Sequence, residues 1–200
     1  MSSQAANDDA PLVVADTLTE LQRENGELRM QLARLEARLA EVEGLADRDG
    51  LTPLLNRRAL LRELGRTRAT VSRYGGAASL VYFDLDGLKA INDRFGHPGG
   101  DAALRAAADR ILSQVRASDI AGRLGGDEFA VILVQADGFQ AEVKAEALAQ
   151  AICQEPVDGL PASLRLRVSW GVAEIQADLE PEDILAQADA AMYAAKHGRK

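Results

Sequence analysis

Between residues 18 and 42 the side chains Leu18, Leu21, Asn25, Leu28, Leu32, Leu35, Leu39 and Val42 follow one another at alternating steps of three and four. That is a heptad repeat, with Leu18, Asn25, Leu32 and Leu39 at a and Leu21, Leu28, Leu35 and Val42 at d. A helix that packs on its own domain needs a wider apolar face than this narrow seam. Glu24 and Arg38 fall at g, Arg29 and Glu43 at e, so a parallel pair would set opposite charges across the seam. Asn25 weakens the seam in any arrangement, but two asparagines meeting in a parallel dimer fix its register. The pattern therefore predicts a parallel two-stranded coiled coil over residues 16–46, preceded by a flexible polar tail over 1–15. A globular domain over 47–200 follows, with a hinge at Asp47-Arg48-Asp49-Gly50.

The chain has 200 residues, 47% hydrophobic and 27% charged, which suits a folded domain with an appendage. A formal net charge of −8 argues against general nucleic-acid binding, which needs a basic face. It leaves room for an anionic ligand bridged to carboxylates by a metal ion. One cysteine, Cys153, excludes an internal disulfide and reads as an inert buried thiol. No apolar run is long enough for direct membrane insertion, and the polar start does not resemble a signal peptide, so the expected location is cytoplasmic.

Beyond the hinge, helix and strand signals alternate. Helices are expected over 53–71, 101–115, 140–152 and 181–196, and strands over 79–83, 120–124, 129–134 and 164–175. Gly125-Gly126-Asp127-Glu128 separates two strands as a hairpin turn. This is an α/β pattern of helices packed on a mixed sheet.

Asp84 and Asp86 end an apolar strand and share a face by period two. Paired carboxylates there are costly without a nearby cation. Asp127 and Glu128 add two more if the hairpin lies beside that strand. Oxygen donors of this kind suit Mg2+, which binds nucleoside triphosphates. Gly87 and Leu88 open a helix whose free N–H groups would face phosphate. The plainer readings are that Asp86 only caps that helix and that Asp127 and Glu128 are solvated turn residues; for Asp86 the cap is favoured.

Gly125-Gly126-Asp127-Glu128-Phe129 spells GGDEF, and other segments accompany it in order. They are Asp49-Gly50-Leu51-Thr52, Asn56-Arg57-Arg58, Asp84-Leu85-Asp86 with Lys89 and Ile91-Asn92-Asp93, Gly96-His97 with Gly100-Asp101, Ser169-Trp170-Gly171, and Ala188 to Lys196. From about Asp49 onward the chain resembles the GGDEF-domain diguanylate cyclases. The resemblance implies a palm-like mixed sheet flanked by helices, similar to nucleotide cyclases. It also implies condensation of two GTP to cyclic di-GMP with release of two pyrophosphates.

By position, the resemblance assigns Asp84, the Leu85 carbonyl and Asp127 to Mg2+ (or Mn2+), with Glu128 sharing the metal. It makes Asp127 the acceptor of the 3′-hydroxyl proton and Lys89 a stabiliser of charge on the phosphates. Asn92 and Asp101 would read guanine, with His97 either nearby in that role or merely ordering its loop. Asp101 could instead be only an N-cap, and Lys89 only a solvated lysine. Lys196 and Arg199 would reach the triphosphate, although Lys196-His197-Gly198-Arg199 is one residue shorter than the family's usual spacing. Arg116 and Asp119 match an R-x-x-D site at which the product inhibits. A homodimer through the coil would bring two GTP-loaded domains together, and a signalling partner could act on residues 7–43. The alternative is a GGDEF domain without turnover that binds cyclic di-GMP or GTP, or a dimeric adaptor.

Overall fold

The computed structural model describes residues 23–32, 34 and 47–198. The chain divides between Ala46 and Asp47 into two units. In the first, residues 23–32 (α1) are helical and exposed, with Leu28 and Leu32 more than half accessible. The tail over 1–15 and the heptad positions Leu18, Leu21, Leu35, Leu39 and Val42 lie outside the described residues. Among the described residues no helix is long and apolar enough to cross a membrane.

The second unit is a five-stranded mixed sheet in the order β1-β3-β4-β2-β5. Its strands are β1 (Leu55–Asn56), β2 (Ala78–Leu85), β3 (Ile120–Gly125), β4 (Glu128–Val134) and β5 (Val168–Glu174). Only β1 and β3 are parallel; the other neighbours are antiparallel. The helices are α2 (Arg57–Tyr74), α3 (Leu88–Gln114), α4 (Gly138–Gln154) and α5 (Pro181–Gly198).

Strand β2 lies inside the sheet between β4 and β5, and its first six residues are buried because both faces of the sheet are covered. On one face Val81, Phe83, Leu85, Phe129 and Val131 pack beneath α3 and α4. On the other, Leu80, Tyr82, Ala130, Ile132 and Ala173 pack beneath α2 and α5. Gly171 of β5 lies against the backbone of α5, where a Cβ would come within 2.1 Å of the Met192 nitrogen. That glycine sets how closely α5 can approach the sheet.

Several sequence expectations need correction. The first helix of the domain begins at Arg57, capped by Asn56, because Leu55 and Asn56 are taken into the sheet. The expected helix from Asp101 starts earlier. Gly96, at φ 73° and ψ 173°, breaks α3, and Pro98 stands in the first turn that follows. Asp101 is therefore inside a helix and is not its N-cap. Asp86 is not a cap either: Gly87, in the left-handed region, occupies that position. Residues 164–167 are outside β5, although Leu166 is buried.

Candidate active site at the end of strand β2

The polar end of β2 gathers side chains from four elements. Asp84 stands in register with Glu128 of β4 and Ser169 of β5, so all three share the face covered by α5. Lys196, from the last turn of α5, reaches this face. Its Nζ donates to Asp84 Oδ1 at 2.5 Å and lies 2.8 Å from Asp86 Oδ1. The Ser169 hydroxyl donates to the Asp86 carboxylate at 3.0 Å. Burial opposes the Lys196 charge, but its bonds to Asp84 and Asp86 outweigh that and hold the ammonium above its ordinary value. Behind them, burial and the neighbouring Glu128 carboxylate push the Tyr82 phenol well above its usual range.

The hairpin is shaped by two glycines with positive φ, Gly125 at 143° and Gly126 at 52°. Its Asp127 is half-buried, and the Asp127 carbonyl accepts the Leu85 N–H at 2.9 Å. The metal-ligand set expected from sequence is thus brought to one sheet edge as backbone neighbours. Among the described residues, no three acidic, histidine or cysteine side chains stand close enough to hold a metal unaided. Still, the donor chemistry fits a hard divalent ion. All the candidates are oxygens, and Asp84 and Asp86 already converge on one cation, the Lys196 ammonium.

At the start of α3, Gly87 and Leu88 follow the acidic strand end, and Lys89 is exposed. Across the Gly96 break Asn92 is brought against Gly100, the residue before Asp101. Its carboxamide rests on Gly100, where an added Cβ would come within 2.0 Å of Asn92 Oδ1. Asp101 is paired loosely with Arg105 at 3.9 Å, and His97 is exposed. Arg199 lies outside the described residues.

Away from this edge, Arg116 and Asp119 line an open hollow of about 200 Å³ together with Val134, Gln135, Gln140 and Lys144. It is smaller than the roughly 300 Å³ at which sites enclose a drug-sized ligand. Asp119 is partly engaged, since it accepts from the Arg116 N–H at 3.0 Å and the Val134 N–H at 3.4 Å. Sequence reasoning missed Gln140 and Lys144, which a helix 20 residues downstream brings there. It also missed the Ser169 contact, whose only signal was the Ser169-Trp170-Gly171 segment.

A family model described as diguanylate cyclase, GGDEF domain, matches residues 46–200. The chain belongs to the GGDEF family. This GGDEF protein is 36% identical over 186 residues to the bifunctional diguanylate cyclase/cyclic di-GMP phosphodiesterase MucR of Pseudomonas aeruginosa, covering 92% of the chain and 27% of MucR. The chain thus spans little more than a quarter of that relative's length. In structure it is similar to the coiled coil and GGDEF domain of DgcB from Caulobacter crescentus, solved in complex with c-di-GMP. The TM-score is 0.74 at 29% identity, over 89% of this chain and 95% of that one. It is also similar to the diguanylate cyclase SiaD of Pseudomonas aeruginosa, solved with its activator SiaC, at a TM-score of 0.73 and 28% identity over 98% and 76% of the two chains. The mixed sheet flanked by helices is the GGDEF fold.

Proposed function

We propose that this GGDEF protein condenses two GTP molecules into cyclic di-GMP and releases two pyrophosphates. The observation that carries the reading is the convergence of Asp84 and Asp86 on one cation position beside the GGDEF hairpin. In each half-reaction the 3′-hydroxyl of one GTP attacks the α-phosphorus of the other. A P–O3′ bond forms, the bond to the bridging oxygen of the β-phosphate breaks, and pyrophosphate leaves. Asp127 takes the hydroxyl proton. Lys89, exposed on the first turn of α3, faces the charge that builds on the phosphates. The N–H groups after Gly87 add their dipoles. Asn92, which rests against Gly100, and Asp101, the next residue in the chain, read the donor edge of guanine that adenine lacks. Lys196 exchanges its carboxylates for the triphosphate when substrate arrives, with Arg199 beside it.

Mg2+ or Mn2+ held by Asp84, Asp127, the Leu85 carbonyl and Glu128 would supply charge neutralisation at the phosphates. Two domains are required because each binds one GTP, and a parallel coiled coil over 16–46 raises their effective concentration. The same coil offers a surface for a signalling partner. Arg116 and Asp119 form the site at which the product inhibits: an arginine donates to guanine O6 and N7, and a carboxylate accepts from N1 and N2. The DgcB and SiaD complexes support a product-binding, coil-bearing, partner-regulated protein of this kind. Purified chain incubated with GTP and Mg2+ is expected to yield cyclic di-GMP by mass spectrometry, and Asp127→Asn to yield none. Absence of product from the intact dimer would defeat the proposal.

A further inference from the structure

Arg123 of β3 has no part in the reading above, yet it is the side chain most firmly tied to the hairpin. Only 12% of it is accessible. Its Nε and Nη2 both donate to the Gly126 carbonyl, at 3.2 and 2.7 Å, and its Nη1 donates to Asp49 Oδ1 at 3.0 Å. Asp49 is itself fixed. The same Oδ1 accepts the Leu51 and Thr52 N–H groups at 3.2 and 2.9 Å and the Thr52 hydroxyl at 2.8 Å. Burial would raise the Asp49 carboxyl, but the bonds from Thr52 and Arg123 prevail and hold it below its ordinary value.

The consequence falls on Asp127. Two peptide planes flank its Cα, and together they set the direction of its Cα–Cβ bond. The plane before it is fixed by Arg123 on the Gly126 carbonyl. The plane after it is fixed by the Leu85 N–H on the Asp127 carbonyl. Gly125 and Gly126 allow many other conformations of this turn, so the guanidinium fork is what selects one.

We infer that Arg123 is a positioning residue for Asp127, and that Asp49, the third residue of the second unit, governs it. The turn at Asp49-Gly50-Leu51-Thr52 thereby becomes a means by which the segment leading into the domain can act on the proton acceptor without touching substrate. This rests on the proposed cyclase reading for its catalytic consequence, but the clamp itself does not.

The test uses the full chain carrying Arg123→Lys or Asp49→Asn. Lysine keeps the charge but cannot span both acceptors, whereas asparagine keeps the turn's oxygen and drops the charge. Amide exchange at Leu85 is expected to accelerate about tenfold in Arg123→Lys and less in Asp49→Asn. Turnover per folded molecule, with the folded fraction read by circular dichroism, is expected to fall about 10- to 100-fold with KM for GTP unchanged. Leu85 exchange that stays at the parent rate in both variants overturns the clamp, whether or not the parent makes cyclic di-GMP. Accelerated exchange with turnover within about twofold of the parent overturns the positioning role.

Discussion

Replacing Gly171 by alanine tests the link between the sheet and the site. A Cβ at this position would lie 2.1 Å from the Met192 nitrogen, 2.4 Å from the Ala188 carbonyl oxygen and 2.7 Å from the Ala191 carbonyl carbon. All three are backbone atoms of α5, so no rotamer change relieves them. The helix has to retreat by more than about 1 Å along its contact with β5 and β2. That opens the apolar packing of Ile184, Ala188 and Met192 against the sheet, and a cost of about 3 kcal/mol is expected, at the upper end for overpacking. For a domain of this size it lowers Tm by about 6–12 °C. The urea midpoint falls by about 1.5 M at an unchanged slope near 2 kcal/mol/M. Lys196, one turn beyond Met192, is carried away from Asp84 and Asp86 by the same movement. Gly65→Ala is the control of opposite sign: its Cβ would meet only the Pro181 ring at an ordinary 3.6 Å, inside helix α2. There alanine is expected to stabilise by about 0.5–1 kcal/mol. The reasoning is refuted if Gly171→Ala moves the urea midpoint by less than about 0.5 M, or if the two variants shift it in the same direction.

Gly100→Ala also collides, but with the end of the Asn92 side chain, which can turn aside; KM for GTP should rise about tenfold while Tm changes little. Arg116→Ala removes the guanidinium from the hollow next to Asp119, so inhibition by added cyclic di-GMP should be lost while initial turnover is kept, as measured by initial rates at rising product concentration. The Arg62 guanidinium holds the Asp47 carboxyl below its ordinary 3.8. The stabilising contribution is present above that value and disappears as pH falls through the lower folded value, so Asp47→Asn should flatten the loss of stability below about pH 4 in urea melts at stepped pH.

What the sequence made legible depended on how far apart the interacting residues lie. Period two alone puts Asp84 and Asp86 on one face, and both do meet the same lysine. The hairpin turn, the helix from Leu88 and the Pro181 start of α5 are local signals of the same kind, and all are present. Asp86 misled because the cap reading weighs only the next few residues. Its partners, Ser169 and Lys196, come from strands and helices that arrive much later in the chain. Asp101 misled for a related reason: the break at Gly96 restarts the helix ahead of the acid that looked like its cap. Leu164-Arg165-Leu166-Arg167 has perfect strand alternation, yet β2 ends opposite Val168, and no strand is left for it to pair with. Alternation records which side chains are buried, and Leu166 is buried; pairing needs a neighbour.

The position of the site follows from burial. Strand β2 is covered by helices on both faces and by strands on both edges, so Ala78 to Phe83 offer little room for an unpaired polar group. Asp84 is the first residue on the strand that is not fully buried. There β4 begins, β5 begins, α3 is about to start and the last turn of α5 passes overhead. Two carboxylates on one face of a mostly buried strand repel each other unless a cation lies between them, and Lys196 is that cation in the protein alone. A ligand that brings its own positive charge to Asp84 and Asp86 therefore frees the lysine, and a lysine freed at the edge of a sheet is available to the anionic part of the same ligand.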